Sequence, residues 1–131
     1  MSDGRPVVGV DANALMMPVE LNIRVFEEIE RLLGSTALVV PRVVLEELEH
    51  LATGCGEAAT AARVGLALAA DRCTTVDSGN EQADDALVTL AREGDVAYVV
   101  TNDAPLRARL LDAGIPVISL RGRTKLAIIH P

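Results

Sequence analysis

Short apolar runs alternate with helical segments along nearly the whole chain, and this alternation restricts the fold more than any other feature. The runs are apolar throughout, which is typical of strands buried on both faces of a parallel sheet. They cover residues 6–11, 37–41, 73–77, 96–103 and 115–120. The predicted helices between them cover residues 21–34, 42–54, 56–72, 80–94 and 104–114. The pattern predicts a three-layer α/β/α fold with a five-stranded, mostly parallel sheet and right-handed crossovers.

The size of the chain fits one such unit. Half of the 131 residues are hydrophobic, which is enough to build a buried core. Phe26 and Tyr98 are the only large aromatic residues, so the core must consist mainly of aliphatic side chains. We therefore expect residues 1–131 to form a single domain.

Nothing in the sequence predicts secretion or membrane insertion. The N-terminal segment lacks the long apolar core of a signal peptide, and no apolar run approaches the ~18 residues that span a bilayer. Cys55 and Cys73 lack the spacing of metal ligands, which favours free thiols in a reducing compartment. We expect a soluble, cytoplasmic protein with no membrane partner.

Charge is distributed unevenly along the chain. The net charge is −7, which taken alone argues against a general nucleic-acid binder. Residues 104–131, however, carry five basic side chains against the single acid Asp112, a net +4 that leaves −11 for residues 1–103. The pattern indicates an acidic body with a basic C-terminal rim, and residues 121–131 are predicted as a tail.

Polar residues follow the first and fourth apolar runs, where an open α/β sheet binds its ligands. Asp11 ends the first run, and Asn13 follows it by two positions. Thr101, Asn102 and Asp103 end the fourth. Either aspartate can also serve only as the N-cap of the following helix, and the sequence leaves both interpretations open.

Two predicted helices place further acids near this edge. Glu47 lies at the margin of the apolar face of residues 42–54, whereas Glu46 points away and is not expected to reach the cleft. Asp84 lies one turn before Leu87 on the inward side of its helix, whereas Asp85 points outward. The adjacent aspartates would also stabilise a helix N-terminus through the helix dipole alone.

Asp11, Glu47, Asp84 and Asp103 can therefore converge at one end of the sheet. Four carboxylates in one cleft repel each other unless cations or protons offset their charge. The chain has a single lysine, Lys125, and it lies beyond the fifth apolar run. Mg²⁺ or Mn²⁺ with oxygen ligands is the natural counterpart, and an ion held in this way suits phosphodiester hydrolysis.

Four segments in this order resemble a known family: "VDANAL" (10–15), "VPRVVLEELEHL" (40–51), "ADDALVTLA" (83–91) and "YVVTNDAPLRARL" (98–110). They are similar to PIN-domain nucleases, most of all to compact archaeal members and to small-subunit rRNA-processing PIN proteins. VapC-type toxins are more distant relatives. The resemblance implies a PIN-like fold and a metal-dependent ribonuclease that cuts within the RNA chain, for RNA processing or toxin-type cleavage.

The resemblance also implies a set of site residues. Asp11, Glu47 and Asp103 match the acids of the family, and Asn13 and Thr101 match the polar residues beside the first and last acid. The third acid is Asp84 or Asp85, because the doubled aspartate allows two registers. Counting back from Asp103 without a gap favours Asp85, whereas the helical face favours Asp84.

We therefore predict Asp11, Asp84 and Asp103 as the metal ligands, with Glu47 orienting the attacking water and Asp85 as an outer or additional acid. The predicted contacts to RNA come from Asn13, Thr101, Asn102, Arg107, Arg121, Arg123 and Lys125. Candidate protein partners are a second copy of the chain, an antitoxin or a ribosome-assembly factor. The alternative is a PIN-like scaffold that binds RNA or assembles complexes without catalysis.

Overall fold

The computed structural model describes residues 4–131, and strands and helices alternate along them. Within this range the strands are β1 Val7–Val10, β2 Ala37–Pro41, β3 Thr74–Val76, β4 Tyr98–Val100, β5 Val117–Arg121 and β6 Lys125–Ile129. The helices are α1 Ala12–Glu20, α2 Val25–Leu33, α3 Arg42–Ala52, α4 Glu57–Arg72, α5 Ala83–Arg92 and α6 Ala104–Asp112.

All of these strands join one sheet in the order β3-β2-β1-β4-β5-β6. The first five are parallel, and β6 pairs antiparallel with β5. The predicted three-layer, mostly parallel architecture is confirmed, but the number of five strands is wrong. The sixth strand lies in the segment predicted as a basic tail, where a tight turn at Gly122, with φ 71°, folds the chain back.

One helix, α1, was not predicted from the sequence. Residues 12–20 form α1, although they lack a polar face and include Pro18. The buried side chains Leu15 and Met17 explain the missing amphipathic pattern, since α1 packs against α4 and also contacts α2 and α3. At the crossing of α1 and α4, a Cβ added to Gly65 would lie 2.9 Å from the carbonyl oxygen of Leu15, so close approach requires glycine here.

Two hydrophobic clusters cover the two faces of the sheet. The larger joins β1 residues such as Val8 to α1, α2, α3 and α4, and the smaller joins β4 residues such as Val99 to α5 and α6. Within residues 4–131, no helix combines the length and apolarity needed to cross a bilayer. Helices α1, α3 and α6 directly follow the parallel strands β1, β2 and β4, so their N-termini lie at the carboxyl edge of the sheet.

Strand β6 is held at the sheet edge by α2. The backbone N–H of Leu126 donates to Glu28 at 2.9 Å, and the carbonyl of Leu126 accepts from Arg31 at 2.8 Å. Glu28 and Arg31 also pair with each other at 2.9 Å. The two side chains thus take the place of a neighbouring strand and fix the β5–β6 hairpin against the domain.

Candidate active site

Asp11 is a buried carboxylate at the junction of β1 and α1. Its side chain is closed to solvent, and Oδ1 accepts a hydrogen bond of 2.7 Å from the N–H of Ala14, so it caps α1. Burial raises the pKa of Asp11 to about 7, against the lowering effect of hydrogen bonds from Thr101 and Ala14. Asp84 and Asp103 raise that pKa further. Asp11 is therefore both a helix cap and a member of a group of acids.

Asp103 lies at the end of the neighbouring strand, β4, and caps α6 in the same way. Its Oδ1 accepts from the N–H of Leu106 at 2.9 Å, and its own N–H donates to the Thr101 hydroxyl at 3.0 Å. Thr101 is completely buried and also hydrogen-bonds to Asp11. Thr101 is enclosed between the two aspartates it orients, and its contact with substrate stays a prediction.

The two adjacent aspartates at the start of α5, Asp84 and Asp85, lie in different environments. Burial raises the pKa of Asp84, and the nearby carboxylate of Asp103 adds to this effect. Asp84 in turn raises the pKa of Asp11. Asp85 is half-exposed and forms an ion pair of 2.9 Å with Arg109 of α6. Asp84 is therefore the member of the pair that interacts with the acids at the strand ends, as the helical face predicts.

A groove of about 590 Å³ lies beside these acids, lined by α3, α6 and the start of α5. Glu47 lines it, and partial burial, followed by the charge of Asp84, raises the pKa of Glu47. Glu46 lines the same groove, whereas Asp11 and Asp103 do not line it. The expectation that Glu46 does not reach the acids at the strand ends stays a prediction. His50 lines the groove as well.

The polar residues at the strand ends form a hydrogen-bonded network. The side chain of Asn13 accepts from the N–H of Asn102 at 3.0 Å. The side chain of Asn102 accepts from the Ser119 hydroxyl at 2.8 Å and from the N–H of Leu120 at 2.7 Å. Arg107 donates to the Ser119 oxygen at 3.2 Å. Sequence reasoning missed Ser119, because a buried serine inside an apolar strand carries no signal of its partners.

The predicted basic residues of the C-terminal segment lie at the turn between β5 and β6. Arg121 ends β5, Arg123 lies in the turn, and Lys125 begins β6, all with exposed side chains. Because β5 is parallel to β4, its carboxyl end lies at the same edge of the sheet as Asp103. The hairpin therefore carries positive charge to the edge that holds the acids.

The acids form an open set rather than a closed cage. Among residues 4–131, no three Asp, Glu, His or Cys side chains are positioned to hold one ion together. Electrostatic interactions instead link these acids, which are Asp11, Asp84, Asp103 and Glu47, and two of them, Asp84 and Glu47, line the groove. Mg²⁺ commonly takes only one or two protein carboxylates and completes its coordination with water. This donor chemistry therefore fits a hydrated divalent ion.

A parallel sheet that gathers acids from two strand ends and two helices, beside an open groove, defines a PIN-type nuclease domain. Residues 8–123 match the family described as PIN like domain. The chain belongs to the PIN-domain ribonuclease family, and the resemblance inferred from its four motifs is confirmed.

The relatives include a ribonuclease and an endonuclease. The chain is 32% identical over 114 residues to Ribonuclease VapC4 of Methanocaldococcus jannaschii, covering 85% of this chain and 87% of that protein. The solved PIN domain endonuclease Utp24 superposes with a TM-score of 0.79 at 24% identity, covering 95% and 92%. VapBC2 from Rickettsia felis, solved bound to a promoter DNA fragment, gives 0.65 at 12% identity, covering 88% and 99%. These two structures support the fold.

Proposed function

We propose that this chain is a divalent-metal-dependent ribonuclease that hydrolyses RNA phosphodiester bonds, as an endonuclease, at the edge of the acidic groove. The observation that carries the proposal is the electrostatic interaction of Asp11, Asp84 and Asp103, which come from three separate elements of the fold. Charges of one sign brought together from distant parts of a chain favour a site for the opposite charge.

The chemistry of Asp11 supports a cation as the missing counterpart. The groups of residues 4–131 that act on its pKa are hydrogen-bond donors and two acids, with no lysine or arginine among them. A carboxylate buried in this way must hold a proton or a positive ion. Asp11, Asp84 and Asp103 would hold Mg²⁺ or Mn²⁺, directly or through water.

Such an ion supplies an activated water at neutral pH and stabilises negative charge on the phosphate. The protein orients the reacting groups. Ala14 and Thr101 hold the carboxylate of Asp11, and the N–H of Leu106 holds that of Asp103. Glu47, with its raised pKa, would orient the attacking water and accept its proton.

The basic and amide groups around the edge would bind the RNA. Arg121, Arg123 and Lys125 are exposed on the hairpin and would contact phosphates. Arg107 is held by Ser119, and Asn13 by the backbone of Asn102, so both are oriented for contacts near the acids. This arrangement separates the roles, with carboxylates for the ion and basic side chains for the substrate.

The test is cleavage of labelled single-stranded and structured RNA in Mg²⁺ or Mn²⁺ by the wild type and by Asp11→Asn. We expect metal-dependent cleavage by the wild type and a loss in the variant beyond about 10- to 100-fold, the effect of disturbing a metal's surroundings. Asp112→Asn, on the exposed end of α6, is the matched control and should cleave normally. Equal cleavage by wild type and Asp11→Asn, or no cleavage with any metal, would refute the proposal.

A PIN-like scaffold that binds RNA without cutting it is the second candidate. The observation in its favour is that no three acidic, imidazole or thiol side chains within the described residues are arranged around one point. RNA binding by the wild type without cleavage in any metal would support this alternative.

The cellular role would follow from the partner. Two settings fit the proposed function, an antitoxin complex and an assembly that processes RNA, such as a ribosomal precursor, and the similarity to Ribonuclease VapC4 favours the first. We propose that one of these partners, or a second copy of the chain, accompanies the protein in its cell. The mass and composition of the complex purified from that cell would distinguish them, and a monomer without partners would contradict all three.

A further inference from the structure

Arg109 has no role in the catalysis or in the RNA contacts proposed above. It lies in α6 and lines the groove, together with Glu47 and Asp84. Among the described residues that line this groove, it is the one arginine or lysine. Arg109 also lowers the pKa of Asp84, so its positive charge acts directly on the group of acids.

The bond that Arg109 makes is one that a ligand can replace. Its Nη2 donates to Oδ1 of Asp85 at 2.9 Å, and the two side chains are 44% and 50% exposed. Ion pairs as exposed as this one contribute little to stability, because water and salt screen them. A guanidinium has five N–H donors in a planar fork that matches a phosphate with two parallel hydrogen bonds.

We propose that Arg109 is a phosphate-binding residue of the groove, and that it exchanges the carboxylate of Asp85 for a phosphate of the bound RNA. This inference rests on the proposed ribonuclease function. In the free protein Asp85 holds Arg109 at the rim, beside Asp84. In the complex, Arg109 turns to the RNA and holds a phosphate next to the acids, on the α6 side of the groove.

A purely structural role for the pair makes a different prediction. If Arg109 and Asp85 serve only to join α6 to α5, removing either side chain should have the same effect on RNA binding. If they compete with RNA for one guanidinium, the two substitutions should have opposite effects. Arg109→Ala removes a phosphate contact, whereas Asp85→Asn releases Arg109 for the phosphate.

The experiment measures the Kd of a fluorescein-labelled single-stranded RNA by anisotropy in EDTA, which prevents cleavage. We expect Arg109→Ala to weaken binding several-fold and to lower the slope of log K against log salt by roughly 0.7, the value for one phosphate contact. Asp85→Asn should tighten binding, and Arg109→Lys should fall between wild type and Arg109→Ala, since it keeps the charge and loses the fork. Arg92→Ala, at the exposed far end of α5, is the control.

The double variant separates exchange from general charge effects. In the Arg109→Ala background, Asp85→Asn should no longer tighten binding, because the side chain it releases is absent. Equal tightening in both backgrounds, or weakening by both single substitutions, would overturn the exchange. If the wild type binds no RNA, the proposed function itself fails. If it binds RNA and Arg109→Ala binds equally well, only the role of Arg109 fails.

Discussion

Asp11 combines two functions that have opposite effects on the stability of the free protein. Its side chain satisfies the N–H of Ala14 at the start of α1, which stabilises the helix. The same carboxylate is buried beside Asp84 and Asp103, so its ionised form is unfavourable unless a cation binds. Burial and neighbouring acids also raise the pKa of Asp84 and of Glu47, and Asp11 is the most buried of the three carboxylates.

The pH dependence of stability should reveal this conflict. The folded chain holds the proton of Asp11 up to a pKa of about 7, whereas the unfolded chain loses it near 3.8. Because the native state binds more protons between these values, the contribution of Asp11 to the free energy of unfolding falls as the pH rises from about 4 to 7. The loss amounts to at most roughly 4 kcal/mol, at 1.36 kcal/mol per pKa unit.

We therefore expect Asp11→Asn to be more stable than the wild type at pH 8 in EDTA, because an amide oxygen keeps the cap and carries no charge. Urea denaturation over a pH series measures the difference, which should shrink as the pH falls towards 4. Asp112→Asn, an exposed acid on α6, is the control for a general loss of negative charge. A variant that is less stable than the wild type at pH 8 would contradict this account of Asp11.

Residues at strand ends and on helical faces could be predicted, but their partners on other elements could not. Asp11 and Asp103 follow from the rule that ligands bind at the carboxyl edge, and Asp84 follows from the face of its helix. The ion pair of Arg109 with Asp85 and the hydrogen bond of Ser119 to Asn102 were not predicted, because each joins residues distant in sequence. The position of a residue along a helix predicts the direction of its side chain. It does not predict the shape of the groove between that helix and its neighbour.

At the scale of elements, the sequence analysis did not predict helix α1 or strand β6, the second strand of the β5–β6 hairpin. Residues 126–129 form a short apolar run, but the basic segment before it led residues 121–131 to be predicted as a tail. Glu28 and Arg31 of α2 hold this strand through both backbone groups of Leu126. These contacts fix β6, and with it the turn that carries the basic side chains, against the domain.

The hairpin should supply part of the electrostatic affinity for RNA and none of the chemistry. We expect Arg121→Ala/Arg123→Ala to weaken binding and to lower the salt slope by roughly 0.7 for each charge removed. At saturating RNA the cleavage rate should stay near that of the wild type, because neither side chain lies among the acids. Salt titrations of Kd, together with kcat and KM, measure both effects. An unchanged salt slope, or a fall in kcat alone, would remove the hairpin from the RNA-binding surface.

At the scale of the whole molecule, the fold brings acidic and basic side chains to the same edge of the sheet. The sheet collects acids from residues 1–103, which carry −11, at the same edge to which the +4 segment brings its basic turn. The general architecture could be predicted because short apolar runs that alternate with helices allow few arrangements. The order of the strands and the docking of β6 depend on side-chain packing between distant segments, which no local pattern contains.

A divalent ion should therefore stabilise the whole domain through the acidic edge. A ligand that binds only the folded state stabilises it by about 2.7 kcal/mol at a hundredfold excess over its Kd, which raises the Tm by several degrees. We expect Mn²⁺ to raise the Tm of the wild type and of Asp112→Asn, and to have much less effect on Asp11→Asn.

Scanning calorimetry in Mn²⁺, compared with NaCl of equal ionic strength, separates binding from general screening of the net charge. The order of stability of the wild type and Asp11→Asn should reverse between EDTA and Mn²⁺. Asp11→Asn is expected to be the more stable in EDTA, where its lost charge relieves repulsion. The wild type should gain on it as Mn²⁺ is added, because only the intact set of acids binds the ion fully. An equal rise of Tm for both proteins would mean that Mn²⁺ acts by screening alone, and the acidic edge would then not be a metal site.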